Sequence, residues 1–126
     1  MRAGMVLLAA AGLAACAPEA EVSGRADFLG LCASCHGADA TGLGEAADLT
    51  RIAARNGGVF DYAAVMSQID GYTRTDAGEI MPGFGALLEG DTVLVDVGDG
   101  RLTPTPARLY GIADYLASIQ EVDPPS

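Results

Sequence analysis

The sequence predicts an all-α fold with one small β insertion. Three observations carry this. Apolar residues recur at helical spacing near both ends of the chain, short runs between them begin at Asp and stop at Gly, and only one stretch, near 92–103, alternates as a hairpin does. Removing a leader of residues 1–15 from 126 leaves 111 residues, a usual size for one domain with one core.

Residues 1–15 read as a secretory signal. Arg2 forms the charged region, and Met5 to Leu13 form an Ala- and Leu-rich run too short to span a bilayer. The segment 16–22, with Pro18 and without helical periodicity, is expected to be a flexible tether. The domain proper is expected over 23–121, and 122–126, with Pro124-Pro125, ends it.

Ser23 is a candidate cap for a first helix carrying Gly24, Phe28 and Cys32 at i, i+4 and i+8 on one face. That face ends in Cys32-Ala33-Ser34-Cys35-His36. Two thiols three positions apart followed at once by a histidine form the attachment signature of a c-type haem. The thiols add to the two vinyl groups as thioethers, and the histidine is then held beneath the porphyrin as axial ligand of the iron. Cys32 and Cys35 are therefore the expected tethers of one covalent haem c, and His36 an expected iron ligand. A thiol–disulfide centre and a structural zinc site are the competing readings. Zinc wants four ligands, however, and the chain has a single histidine and one further cysteine, Cys16, while a thioredoxin-like centre would sit in a βαβ context that the sequence lacks.

Further along, Asp48-Leu49-Thr50 is expected to cap a short helix over about 51–56, stopped by Gly57-Gly58. Asp61 caps the next, with Tyr62, Val65, Met66 and Ile69 on one face and Gly71 as its end. The run 92–97, the turn Gly98-Asp99-Gly100 and the run 101–103 predict a β-hairpin. Thr105-Pro106 is read as a cap and first residue of a last helix carrying Leu109, Ile112, Ala113, Leu116 and Ile119 up to Gln120.

These features together resemble class I cytochromes c: a Gly-x-x-x-Phe-x-x-x-Cys helix entering Cys-x-x-Cys-His-Gly at Gly24, Phe28 and Cys32 to Gly37, and a last helix with Leu109, Tyr110, Tyr115 and Leu116. The resemblance covers most of the chain after the leader. It implies crossed N- and C-terminal helices, with Gly24 facing Tyr115 and Phe28 beside them, and short helices around the haem. The hairpin is extra to that pattern; a docking edge, a cover for the haem edge and a simple loop closure are its candidate roles. Leu13-Ala14-Ala15-Cys16 resembles the lipobox of bacterial lipoproteins, which implies cleavage before Cys16, lipidation of its sulfur and anchoring on the periplasmic side of a bacterial membrane. An ordinary secretory cleavage is the alternative.

The second axial ligand decides between a closed electron carrier and an open site. No second histidine and no lysine exist, and Met1 and Met5 leave with the signal, so Met66 and Met81 are the remaining conventional ligands. Met66 lies on an apolar helix face, where methionine ordinarily fills a core. Met81 lies in Ile80-Met81-Pro82-Gly83-Phe84-Gly85, which resembles the Met-Pro segment that supplies the distal thioether in class I cytochromes c, and on that resemblance Met81 is the expected ligand. Arg51, Arg55, Tyr72 and Arg74 are candidates for holding the haem propionates.

Seven basic residues stand against 17 acidic ones; with Arg2 gone, six against 17 leave a balance of −11, which excludes nucleic acid as a partner. The implied function is one-electron transfer, not enzymatic catalysis, between a redox donor and acceptor such as an oxidase, a dehydrogenase or a quinol-oxidising complex. The alternative is a haem-based sensing module in which Met81 is displaced by a small ligand. Peroxidase-like turnover would need a distal acid–base group that the sequence does not offer.

Overall fold

The computed structural model of the chain describes residues 19–72, 74 and 80–122. The signal segment, Cys16 and the Pro124-Pro125 stop lie outside the described residues. The helices are α1 (Glu19–Leu31), α2 (Ala33–His36), α3 (Ile52–Arg55), α4 (Tyr62–Asp70) and α5 (Ala107–Ser118), and the strands are β1 (Thr92–Asp96) and β2 (Leu102–Pro106). Single 3-10 turns precede α3 at Leu49–Arg51 and follow the 80–84 loop at Gly85–Leu87.

The architecture corrects the all-α expectation. It is a mixed fold, five α-helices with an antiparallel two-stranded sheet among the described residues. The second strand runs further than the hairpin predicted over 92–103 and takes in Thr105 and Pro106, in the register Thr92↔Pro106 to Asp96↔Leu102. The reason is local. Thr103 and Thr105 each precede a proline, which disfavours helical backbone at both, and β-branching adds to the strand preference. Thr105 consequently packs inward opposite Val93 instead of capping α5. Pro106 takes the cap position with no side-chain cap, and the Ala107 N–H donates to Asp91 O at 2.8 Å.

The start of α1 differs too. The helix begins at Glu19, so Ser23 is an interior residue and the tether expected over 16–22 is helical from 19 onward. Glu19, Ala20 and Glu21 are helix formers, and carboxylates suit the positive end of the helix dipole.

The two short helices form where expected. Asp48 accepts from the Thr50 N–H at 2.9 Å, Asp61 accepts from the Ala64 N–H at 3.0 Å, and Gly71 ends α4 in the left-handed region.

Helices α1 and α5 pack against each other, and α4 packs on α5. Phe28, Leu88 and Ile112 are the largest fully buried side chains, joined by Met66, Ile69, Leu109, Ala113 and Leu116 in one core. Burying Phe28 alone contributes about 2–3 kcal/mol. At the crossing, a Cβ on Gly24 would lie 2.1 Å from the carbonyl oxygen of Gly111, so the contact is backbone on backbone. The atoms nearest Gly24 are thus the backbone of Gly111, and Phe28 packs on Tyr115 one turn further along α5, with ring centroids 5.3 Å apart. Arg108 grips both carboxylate oxygens of Asp27 at 3.1 and 2.6 Å and donates to Leu87 O at 2.8 Å, tying α5 to α1 and to the turn before the hairpin. Gln120 closes the other end of α5 by donating to Leu49 O and accepting from the Ala53 N–H.

Candidate functional site

α1 passes into α2 almost without a break: the Cys32 N–H donates to Phe28 O at 2.8 Å and the His36 N–H to Cys32 O at 3.0 Å. Gly37, at φ 81°, then turns the chain away. Cys32 and Cys35 are both free thiols, Cys32 buried and Cys35 exposed. Burial first, then the nearby charges of Asp27 and Cys35, push the Cys32 thiol up to about 11. A disulfide-exchange centre needs the opposite, a thiol biased towards thiolate at neutral pH.

His36 is buried, and its Nδ1 lies 2.8 Å from the carbonyl oxygen of Ala47. A carbonyl can only accept, so Nδ1 carries the proton and Nε2 keeps a lone pair for a metal. The loop after His36 is shaped to bring Ala47 there. Gly42 N–H donates to His36 O, Leu43 N–H to Cys35 O and Leu49 N–H to Ala40 O. Ala40 is fully buried at φ 63°, a conformation that disfavours a side chain by about 1–2 kcal/mol and is held by this closure.

Met81 is held from three sides. The Gln68 amide donates to its sulfur at 3.8 Å, the Arg74 guanidinium donates to its carbonyl, and the Phe84 N–H donates to Ile69 O at 2.9 Å. Glycines let this loop lie against the end of α4: a Cβ on Gly83 would sit 2.8 Å from Asp70 O, and one on Gly85 2.5 Å from the Asp70 carboxylate.

The two segments face each other across a cavity of about 730 Å³. Cys32, Cys35 and His36 line one side, Met81, Pro82 and Phe84 the other, with Leu31, Leu43 and Gln68 between. The four residues singled out from the sequence for a covalent haem thus share one wall-to-wall space, and that space has room for a tetrapyrrole-sized ligand. Met66 is elsewhere, buried in the core beside Val65 and Ile69. Among the described residues, none of Arg51, Arg55, Tyr72 and Arg74 lines the cavity, and the carboxylate on its wall is Glu45. Arg51 reaches Glu121 at 3.9 Å, and the Tyr72 hydroxyl lies 3.3 Å from Ser67 Oγ.

Sequence reasoning missed the Ala47 carbonyl, Gln68 and Glu45. The first has no side-chain signature at all. Among the described residues, no three His, Cys, Asp or Glu side chains cluster as a metal site, and no helix is long and apolar enough to cross a membrane. Compared with protein-family models, curated proteins and solved structures, the chain matches none.

Proposed function

We propose that the protein is a c-type cytochrome akin to class I cytochromes c, carrying one covalent haem c on Cys32 and Cys35 with His36 and Met81 as axial iron ligands, and that it transfers single electrons. The observation that carries the proposal is the shared cavity: both thiols, a histidine with its Nε2 lone pair available and the Met81 loop line one space of about 730 Å³. When bound, the haem supplies the one-electron iron couple.

The chain's own residues do the rest. Ala47 fixes the orientation of the His36 ring by accepting from Nδ1, which leaves Nε2 to face the metal. Gln68 orients the Met81 thioether, and the soft sulfur favours the reduced state. Phe84, Leu31 and Leu43 give the cavity an apolar lining against which a flat ring would pack. His36 and Met81 would both hold the iron, which would leave the group to pass electrons, so the role proposed is that of a carrier. In this proposal Cys16 bears the lipid that tethers the carrier to the periplasmic side of a bacterial membrane, and redox proteins supply and accept the electron.

The test is the optical spectrum of the exported, oxidised protein, scanned to the far red for the weak band of a methionine sulfur on ferric haem. The band is expected in the unmodified protein and in Met66→Ala, and lost in Met81→Ala. Covalent haem without the band would overturn His/Met ligation and favour an open, ligand-sensing site.

A further inference from the structure

The hairpin has two edges that differ in kind. Pro104 and Pro106 of β2 have no N–H and cannot donate to the ladder, and the Ala107 N–H donates to Asp91 O as the partner of an opposed hydrogen-bonded pair. Both facts fix the same phase: Val93 with Thr105 and Val95 with Thr103 exchange ladder bonds, whereas Leu102, Pro104 and Pro106 turn their backbone outward. The outer edge of β2 is thereby closed to a further strand, because two of its three outward positions lack a donor. β1 is the reverse. Thr92, Leu94 and Asp96 direct N–H and C=O groups away from β2, all three residues are exposed, and none of these backbone groups has a partner among the described residues. The register runs through five pairs without a bulge, and β1 carries neither lysine nor proline, the usual protections of an exposed edge.

The face that goes with this edge is apolar at its centre and acidic at its margin. Leu94 is 63% and Leu102 67% exposed, on one face with Pro104 and Asp96, while Asp91 lies by strand alternation on the opposite face and Asp99 in the turn. A second copy of this chain would bring the same carboxylates to the same edge, in a protein with 17 acidic and seven basic residues. We infer that the β1 edge takes up an extended segment of another protein, bearing alternating apolar and basic side chains, as an added strand: main-chain hydrogen bonds to Thr92, Leu94 and Asp96 hold it, its apolar residues extend the Leu94 face, and its basic residues, on the opposite face, meet Asp91. The inference does not rest on the haem reading.

Leu94→Pro tests it selectively. At Leu94 the N–H points outward, so proline removes a docking donor and leaves every ladder bond between β1 and β2 in place, matching Pro104 opposite. The probe is a synthetic ten-residue peptide of alternating valine and lysine, added to the full chain, with amide hydrogen exchange read residue by residue. Added protection at Thr92, Leu94 and Asp96, and a loss of affinity of tenfold or more in Leu94→Pro with unchanged circular dichroism, are expected. A version of the peptide N-methylated along one edge should lose affinity to a similar degree against the unmodified protein, which keeps the test decisive if Leu94→Pro fails to fold. Binding that survives either change, or that protects none of the three amides, overturns strand addition and leaves only diffuse attraction to an acidic surface. A dimer of the protein alone that Leu94→Pro abolishes would give the edge to a second copy and overturn the assigned partner.

Discussion

Gly24→Ala and Gly30→Ala place the same methyl group in the same helix and are expected to act with opposite signs. An alanine normally stabilises a helix interior by about 0.8–1.0 kcal/mol relative to glycine. Nothing lies within 4 Å of a Cβ at Gly30, so Gly30→Ala should gain that amount or a little less, since it sits in the last turn of α1. At Gly24 the new carbon would be 2.1 Å from Gly111 O and 2.6 Å from its carbonyl carbon. Those atoms belong to the backbone of α5 and cannot rotate away, so α1 and α5 must separate. Overpacking of this kind costs about 1–3 kcal/mol, and a backbone clash lies at the upper end. After subtracting the propensity gain, Gly24→Ala should destabilise by about 2 kcal/mol, a fall in Tm of about 10 °C for a domain of this size. Thermal unfolding of the exported protein and both variants, followed by circular dichroism, measures the pair. Because α1 leads straight into Cys32 and His36, Gly24→Ala should also, on the haem attachment proposed above, lower the yield of covalently bound haem. A Gly24→Ala protein as stable as Gly30→Ala would refute the backbone-to-backbone crossing and the placement of α5 over α1.

Gln120→Ala leaves the Ala53 N–H and Leu49 O without their side-chain partner; a loss of about 1–3 kcal/mol is expected, read from urea midpoints at unchanged m. Tyr62 donates to Asp114 at 3.0 Å, and burial, then that bond and the Asp114 charge, push its phenol up to about 12. A folded pKa above the unfolded one stabilises fully below pH about 10 and is lost as pH rises through about 12, so stability should fall across that window. Tyr62→Phe should flatten the fall in alkaline unfolding curves, by no more than about 1 kcal/mol because the group is partly solvated.

What could be read from the sequence was local. Asp48 and Asp61 cap their helices because a carboxylate two or three residues ahead of an N–H reaches it whatever the rest of the chain does. The Cys32–His36 motif reads equally well for the same reason: its chemistry lies within five consecutive residues. Thr105-Pro106 shows the limit. A Thr-Pro pair fits a helix start and a strand end alike, and the deciding influence is the pairing of Val93 with Thr105, a contact across the hairpin that propensity does not encode. Gly24 was recognisable as a close-packing position, but the backbone of Gly111 as its nearest neighbour was not, since that depends on how far α5 slides along α1. Ala47 could not be found at all, because the group that orients His36 is a main-chain carbonyl that any residue would supply.

The two sides of the cavity are built with different firmness, which bears on where the site yields first. His36 belongs to a helix continuous with α1, with its backbone and ring both hydrogen-bonded, and thioethers at Cys32 and Cys35 would add two covalent ties. Met81 itself lies outside any helix. Its place is fixed by the Phe84 bond to Ile69 and the Gln68 and Arg74 contacts, all reaching back to α4 or to the residues just after it. Since α5 packs on both α1 and α4, the gap between the two sides is set by α5 and not by the chain that links His36 to Met81. A change that loosens α5 therefore opens the gap at its softer margin: the Met81 thioether leaves its place while His36 keeps its own. With the proposed haem in place, the Gly24–Gly111 crossing would thus bear on whether Met81 holds its position.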